Sequence, residues 1–315
     1  MDKTLAGTSA AFIGLDIGNT RLTVGAADAD GCLLLTEERS APRGAESALP
    51  VLLAMARSAA SALRTQGRRV AGLGLGFGGP VDYAGQRTRG SFHSPGWVDV
   101  PLAEFFASEL RIPALLDNDA NAGGLAEALF GAGRRHRVVL YVNVGTGIGG
   151  AIVIEGTVHR GATSSAGEIG HVVLDPEGPV CNCGKRGCLE AFAAGSALER
   201  MASEAGLSLT GRETMAAAEQ GDVVCRAIVE QAAGHLGLAI ANAVSLLDPD
   251  IVVPGGGVPL AGEVWWTPLR EAFSRQVVPA AARTRLAPAE LGYHAGVLGA
   301  AALGMQAAEG KGLPT

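Results

Sequence analysis

The sequence predicts an α/β protein of two similar halves that form two lobes with a cleft between them. Its length of 315 residues is the first observation, because it is about twice that of a usual domain. The second is that strand patterns alternate with helical ones along the chain. The third is a repeat: an apolar strand, a turn of small residues and another apolar strand occur at 11–28 and again at 137–156.

The first half begins with strands and continues with helices. Residues 11–28 predict two strands joined by a tight Gly-Asn turn, and 32–40 predict a third strand. Residues 46–67 have helical composition and apolar spacing, and they end at Gly67, a residue that commonly stops helices. The elements that follow are a buried strand at 70–77, a helix at 101–110, a strand at 112–118 and a helix at 119–131.

The second half repeats this order. Residues 137–156 predict strand, Gly-Thr-Gly turn and strand, and helices follow around 188–205 and 222–247. A strand at 249–258 ends in a run of glycines. The longest apolar segment, 232–247, contains polar residues and is shorter than a membrane span, so we interpret it as a buried helix.

Composition excludes several classes of protein. Hydrophobic residues make up 48% and charged residues 18%, which is typical of a globular protein with a substantial core. The net charge of −6 and the lack of a basic run argue against nucleic-acid and membrane partners. The apolar stretch at the start is too short for a signal peptide, so we expect a cytoplasmic protein. Five cysteines in so long a chain do not fit a disulfide scaffold.

Two glycine-containing turns, at 18–20 and 145–147, are candidates for binding phosphate, and a third glycine run at 255–257 could let a nucleotide base or ribose approach the backbone. Taken alone, the first two are ordinary hairpin turns, but N–H groups exposed in such turns can also surround phosphate oxygens. Asp16, just before the first turn, could organise Mg²⁺ through water. The candidate phosphate-binding and nucleotide-binding residues are Gly18, Asn19, Thr20, Gly145, Thr146, Gly147, Gly255 and Gly256.

The segment "LLDNDAN" (115–121) places carboxylates where a strand ends and a helix begins. Asp and Asn are favoured helix N-caps, which is the structural interpretation of Asp119. The functional interpretation is a general base at a strand terminus, where ligands of open α/β sheets usually bind. The two interpretations are compatible.

The segment "GEIGHVVLDPEGPVCNCGKRGCLE" (167–190) contains a possible metal site. His171, Cys181, Cys183 and Cys188 supply one imidazole and three thiolates, a set that suits tetrahedral zinc. The spacing is not that of a zinc finger, and three reduced thiols with a packed histidine are the alternative. Glycines that permit tight turns, and a shortage of apolar residues to bury the thiols, favour metal.

Several motifs together resemble the ROK family (repressor, open reading frame, kinase) of the actin-like ATPase superfamily. They are "DIGNT", "VGTGIGG", "SPGWVDVPLAEFFASELRIPALLDNDANAGGLAE", "AGEIGH" and "CNCGKRGCLE", and the likeness runs from about residue 11 to 304. The resemblance implies a two-lobed actin-like ATPase (ribonuclease H-like) fold with an interlobe cleft. We expect a small lobe at 1–118, completed by the helix around 295–310, and a large lobe at 119–294 that contains the zinc loop 171–188.

The resemblance also implies roles for individual residues. Asp119 would be the base that accepts the proton of a sugar hydroxyl. The residues that would bind the sugar are Asn118, Glu168, His171 and Glu190. The Cys motif carries zinc in the family, and here a structural zinc would fix the loop from which Glu168 and Glu190 extend. ATP with Mg²⁺ would be the donor, and homodimers are common in the family.

Two motifs depart from the family pattern. Asn19 replaces the second glycine of the first phosphate motif, and because Asn tolerates the left-handed conformation the turn should survive. The segment "FGGP" (77–80) replaces the usual Pro-Gly-Pro, which bears on sugar selectivity. Cys32 and Cys225 are expected to be core residues, and His93 is left outside the site.

The family contains kinases and sugar-responsive repressors. The repressors carry a DNA-binding domain before the first phosphate motif, and Asp16 stands too close to the start for one. We therefore expect an ATP-dependent hexose kinase acting on the 6-hydroxyl, with glucose as the first candidate. N-Acetylglucosamine, N-acetylmannosamine and fructose are the alternative substrates, and a sugar-binding regulator is the alternative function.

Overall fold

A computed structural model of the chain describes residues 10–91, 94–258 and 262–311. These residues form two compact units. The first contains the chain up to Phe130, the segment Arg160–Ala166 and the residues from His294 onward. The second contains Gly131–His159 and Gly167–Tyr293. The predicted lobe limits of 1–118 and 119–294 stay a prediction, because compactness alone does not test them.

The first unit is built on a five-stranded mixed sheet. Its strand order is β3-β2-β1-β4-β7, with β1, β2 and β3 antiparallel and β1, β4 and β7 parallel. The strands are β1 (Ala10–Ile17), β2 (Arg21–Ala27), β3 (Leu33–Ser40), β4 (Arg69–Phe77) and β7 (Ala114–Asn118). A separate short hairpin is formed by β5 (Val81–Asp82) and β6 (Arg87–Thr88).

Helices cover the sheet of the first unit. They are α1 (Ala45–Thr65), α2 (Leu102–Leu110), α3 (Asp119–Phe130) and α9 (Ala295–Ala308). The buried side of α1 repeats every three or four residues, as an amphipathic helix requires, and it packs in one apolar cluster with Leu73 and Leu75 of β4. The alternate residues of β4 include Gly72 and Gly74, and a Cβ on either would overlap a backbone carbonyl of α9. Glycine there lets α9 lie directly on the strand.

The sheet of the second unit has the same connectivity as the first. Its order is β10-β9-β8-β11-β12, with an antiparallel hairpin followed by parallel strands. The strands are β8 (Val138–Val144), β9 (Ile148–Ile154), β10 (Thr157–Val158), β11 (Ile251–Gly255) and β12 (Arg285–Leu286). The predicted repeat of strand, turn and strand is therefore confirmed.

Five α-helices of the second unit surround this sheet within the described residues. They are α4 (Leu189–Ala193), α5 (Gly195–Glu204), α6 (Gly211–Glu219), α7 (Val223–Leu247) and α8 (Glu263–Gln276). Local sequence explains two helix starts: Thr210 and Glu213 form a capping box at α6, and Asp222 caps α7 through the Cys225 N–H.

The length argument for the apolar segment 232–247 was wrong, since the segment is part of the 25-residue α7. By length and composition, α7 is the one helix among the described residues that could cross a membrane. Half of its most apolar window is nevertheless buried inside the unit, and α7 packs against α8. The interpretation as a buried helix therefore holds for the helix core, which includes Leu236, Ile240 and Val244.

Candidate active site

The parallel strands of the first unit end at one edge and bring their acidic residues together. Asp16 on β1 is in register with Gly76 on β4, which is in register with Asp117 on β7. Asp119 comes directly after the last residue of β7 and is the first residue of α3. Its Oδ2 lies 3.5 Å from the position that a Cβ on Gly78 would occupy. The glycines of β4 and its continuation thus lie close to Asp119, which is itself half-buried.

Asn118, rather than Asp119, is the N-cap of α3. Its side-chain oxygen accepts hydrogen bonds from the N–H groups of Ala120 at 2.9 Å and Asn121 at 3.3 Å. Its Nδ2 donates to the Gly79 carbonyl at 3.2 Å. Asp119 stands at the first helical position, where its Oδ1 accepts the N–H of Ala120 at 2.8 Å. The capping interpretation therefore applies mainly to Asn118, whose amide is largely engaged by backbone groups.

Asp16 has an unusual protonation equilibrium. The pKa of its carboxyl is raised from 3.8 to about 7, mainly by burial and then by the negative charge of Asp119, while the positive charge of Arg21 lowers it. The N-terminal turn of α9 contacts this carboxylate, because a Cβ on Gly296 would stand 2.5 Å from Asp16 Oδ2. Asp16 is therefore the group of this edge whose charge changes near neutral pH.

The first glycine turn links β1 to β2. It is closed by a hydrogen bond from the Gly18 N–H to the Arg21 carbonyl at 2.9 Å, and Asn19 and Thr20 are exposed. The hydroxyl of Ser91 donates to Asn19 Oδ1 at 3.2 Å. Asn19 does not adopt a positive φ, so the reason given for its tolerance was wrong. The backbone here is one that most residue types can adopt.

The second glycine turn, in the second unit, has two supports. It is closed by a hydrogen bond from the Gly145 N–H to the Gly147 carbonyl at 2.9 Å, and the N–H groups at the start of α5 donate to the carbonyls of Gly145 and Thr146. On the other side, the predicted glycine run lies against it. A Cβ on Gly256, whose φ is 93°, would stand 2.7 Å from Asn143 Oδ1, while Gly255 pairs in register with Asn143. The structure thus brings 145–147 and 255–256 together.

Glu190 contacts this second turn, a contact that the sequence did not reveal. Its Oε2 accepts the N–H of Ile148 at 2.9 Å and lies 2.6 Å from the position of a Cβ on Gly147. Its Oε1 accepts a 3.6 Å hydrogen bond from the thiol of Cys181. Glu168 is more exposed, with 52% of its side chain accessible, and it lies 4.0 Å from His171 Nε2. The glutamates on the two sides of the Cys segment therefore have different surroundings.

The four predicted metal ligands converge. The ligand atoms of His171, Cys181, Cys183 and Cys188 all lie within 4.8 Å of one another. Cys183 Sγ is 3.7 Å from Cys188 Sγ, and Cys181 Sγ is 3.6 Å from His171 Nδ1. Tetrahedral zinc, with bonds of about 2.3 Å to sulfur and about 2.0 Å to nitrogen, separates two sulfurs by about 3.8 Å and sulfur from nitrogen by about 3.6 Å. The cluster fits zinc.

The loop that carries the cysteines is shaped by its glycines. Gly184 and Gly187 have φ of 88° and 69°, and the N–H of Gly184 donates to the Cys181 carbonyl at 2.9 Å. All five cysteines are free thiols. Cys225 is buried as expected, but the prediction for Cys32 was wrong, because it lies exposed just before the edge strand β3. His93 lies outside the described residues.

Two charged residues near the site were missed. Asp117 and Arg160 form a buried ion pair with a 2.8 Å contact between Asp117 Oδ2 and Arg160 Nε. Asp117 stands inside the "LLDNDAN" motif, so its place beside Asn118 was visible. Arg160 lies 43 residues away in sequence, and no local signal pairs the two.

Two sheets of one strand order, each with a glycine turn after its first strand, define an actin-like α/β fold, as the sequence predicted. Comparison with known proteins agrees: the model of the ROK family matches residues 12–307. The chain therefore belongs to the ROK family.

Individual relatives resemble nearly the whole chain. A glucokinase from Thermotoga maritima is 35% identical over 311 residues, which covers 93% of this chain and 96% of that protein. The crystal structure of a ROK hexokinase from Thermus thermophilus is 38% identical, has a TM-score of 0.85, and covers 95% of this chain and 99% of that chain. A ROK glucokinase from Streptomyces griseus, solved with glucose and AMPPNP, is 32% identical with a TM-score of 0.80, covering 94% and 99%.

Proposed function

We propose that the protein is a glucokinase-like hexose kinase that transfers the γ-phosphoryl group of ATP to the 6-hydroxyl of a sugar. The observation that carries this proposal is Asp119, a carboxylate at a strand edge whose helix is capped by the neighbouring Asn118. The similarity to a glucokinase and to a ROK hexokinase supports the reaction class and glucose as first candidate. N-Acetylglucosamine, N-acetylmannosamine and fructose are the alternative substrates.

In the proposed reaction, Asp119 accepts the proton of the 6-hydroxyl while that oxygen attacks the γ-phosphorus. The bond between the γ-phosphorus and the bridging oxygen breaks, and ADP leaves. Because phosphoryl transfer needs mainly positioning and charge stabilisation, one well-placed carboxylate is sufficient acid–base machinery.

Binding roles are proposed for the remaining candidates. Glu168, His171 and Glu190 bind sugar hydroxyls, whereas Asn118 contributes less, since backbone groups already occupy most of its hydrogen-bonding capacity. The N–H groups of the two glycine turns hold the ATP phosphates, and the backbone at Gly255 and Gly256, where glycine permits close packing against Tyr141 and Asn143, is the proposed point of approach of the nucleoside. Mg²⁺ bound with ATP supplies charge neutralisation, and Asp16 would orient it through water.

A structural zinc is proposed for the His/Cys cluster. His171, Cys181, Cys183 and Cys188 would hold it, and it would replace the apolar core that this loop lacks. With Nδ1 as the ligand atom, Nε2 of His171 is on the side of Glu168, 4.0 Å from its Oε2. A homodimer and a cytoplasmic location are further expectations.

The test is a coupled assay of ADP release with a panel of hexoses, beside calorimetric titration of the same sugars without ATP. We expect release with glucose, and less or none with the alternatives. Sugar binding without ADP release for any hexose would instead indicate the regulator, and neither binding nor release would reject both functions.

A further inference from the structure

The ion pair of Asp117 and Arg160 adjoins the segment that carries the candidate base, Asp119. Asp117 is 2% exposed, and both of its carboxylate oxygens are used. Oδ1 accepts the backbone N–H of Asn118 at 2.8 Å and the side-chain amide of Asn121 at 2.9 Å. Oδ2 accepts Arg160 Nε at 2.8 Å. The Asp117 carboxylate is thus hydrogen-bonded both to the last residue of β7 and to the first turn of α3. These two contacts lie on either side of Asp119 in sequence.

Arg160 is held as firmly as its partner. Its guanidinium carbon lies 3.6 Å from the centre of the Tyr83 ring, so it stacks on an aromatic face while it pairs with Asp117. Only 14% of its side chain is exposed. A buried ion pair of this kind is poor evidence for stability, because removing two charges from water costs about as much as their attraction returns. The pair therefore bears more on local geometry than on overall stability.

The segment Arg160–Ala166 shows what this geometry would position. Arg160–Ala166 belongs to the first unit, although the residues before and after it in sequence belong to the second. Its second anchor is Ser164, whose hydroxyl accepts the Tyr83 N–H at 3.3 Å. Tyr83 lies in the hairpin of β5 and β6. This hairpin is hydrogen-bonded to β7, because Gln86 Oε1 accepts the Leu116 N–H at 2.8 Å. The chain then continues directly into Gly167 and Glu168.

We propose that the Asp117–Arg160 pair is a positioning device for the phosphoryl acceptor. It fixes the junction of β7 and α3 that carries Asp119, and it anchors the segment from which the chain leads into Glu168. This inference rests on the proposed sugar-kinase function. It assigns no contact with substrate to either residue, so both are positioning residues.

The decisive variants alter geometry while they keep the fold. Arg160→Lys keeps the charge but loses the planar fork and the stacking on Tyr83. Asp117→Asn keeps the shape and one acceptor oxygen. The double variant Asp117→Asn/Arg160→Gln removes both charges, so no buried charge is left unpaired. The control is Arg87→Lys, in an exposed ion pair of the same unit in which Arg87 lies 2.7 Å from Asp99.

Steady-state kinetics with each substrate varied, sugar calorimetry without ATP, and melting temperatures are measured for every variant. For Arg160→Lys and Asp117→Asn we expect kcat/KM for the sugar to fall at least about fivefold, within the range of coupling between bonded groups. KM for ATP should stay within about twofold, and the double variant should lose less than the product of the losses of Asp117→Asn and the matched single variant Arg160→Gln. Arg87→Lys should resemble the parent.

Two results would overturn the inference: equal losses for sugar and ATP that follow the melting temperature, or an active parent whose pair variants keep their sugar parameters. The proposed function fails separately, if the parent turns over no hexose. In that case the calorimetric sugar affinity still decides, since a parent that binds sugar must lose affinity in the pair variants. A parent that binds no hexose would refute both.

Discussion

The two glycine turns occupy the same place in two sheets of the same connectivity, but they carry different chemistry. Two residues before the first glycine, the first unit has Asp16, and the second unit has Asn143. Each side chain faces a glycine of another element: Asp16 lies against Gly296 of α9, and Asn143 against Gly256 after β11. A repeated scaffold has therefore been given a carboxylate in one copy and an amide in the other.

Under the proposed function, this difference gives the two units different chemical roles. The carboxylates of Asp16 and Asp119 interact strongly enough to affect the protonation of Asp16, which suits a place where a proton and a cation are handled. The second turn has an amide at the corresponding position, and the carboxylate that contacts it, that of Glu190, comes from α4 and accepts the Ile148 N–H. The second unit also contains the His/Cys cluster, which has no counterpart among the described residues of the first.

The largest expected effect comes from Asp119→Asn, which tests whether the chemistry belongs to the first unit. Without its general base the enzyme should lose about a hundred- to ten-thousand-fold in kcat. The melting temperature should hardly change, because Asn118 remains as the cap of α3. Turnover, sugar calorimetry and melting are the measurements, with the exposed Asp30→Asn as control. A normally folded variant that turns over within about threefold of the parent contradicts the mechanism.

Asn118→Ala gives the reverse pattern and sharpens the division between the neighbours. It removes the cap and should cost about 1 kcal/mol of unfolding free energy. Its kcat should stay far above that of Asp119→Asn. If both variants lose turnover equally, the distinction between cap and base is wrong.

Cys183→Ser tests whether the second unit depends on a metal that the first does not need. One zinc per chain is expected in the parent and almost none in the variant, together with weaker sugar binding and a lower melting temperature. Elemental analysis, calorimetry and thermal melting check this. The matched control is Cys32→Ser, an exposed cysteine of the first unit, which should change none of these quantities. A parent protein that contains no zinc and is fully active would contradict the proposed zinc site.

Two alanine substitutions probe the second turn. A Cβ on Gly145 meets nothing within 4 Å, so Gly145→Ala should fold normally, and its methyl group should crowd a phosphate bound in that space and raise KM for ATP by about tenfold, the equivalent of about one charged hydrogen bond. Gly147→Ala should impair both substrates, because its Cβ would displace the Glu190 carboxylate. Kinetics with each substrate varied distinguish the two. An unchanged KM for ATP in Gly145→Ala would argue against phosphate at this turn.

The smallest effect concerns the pH dependence of Asp16. Its folded pKa of about 7 exceeds the unfolded value of 3.8, so its contribution to stability is complete at low pH and is lost as the pH rises through 7. Asp16→Asn should therefore raise the melting temperature at pH 8 by at least about 2 °C and raise it much less at pH 4.5, where most of the loss has yet to occur. Melting without nucleotide or added Mg²⁺ is the measurement. An equal shift at both pH values would show that the carboxyl is not the cause.

The sequence was sufficient for the parts of this molecule that have local causes. Apolar strands on both sides of small-residue turns predicted both hairpins, and the spacing of His171, Cys181, Cys183 and Cys188 predicted their cluster. Non-local contacts were not predictable in the same way. The placement of Arg160–Ala166 in the first unit involves a buried ion pair across 43 residues, which no local pattern shows. The boundary between β7 and α3 was predicted at the observed residue, yet the cap was assigned to Asp119 instead of Asn118.

The route of the chain through the first unit has a consequence for biosynthesis. The sheet at the start of the chain is covered on the Gly72 and Gly74 side by α9, which ends at Ala308. During translation the second unit is complete as soon as Tyr293 has emerged, whereas the first waits for the last helix with one apolar face bare. The usual order, in which the N-terminal part folds first, is thus reversed. A nascent chain stalled before α9 is therefore the form that we expect to need chaperone protection.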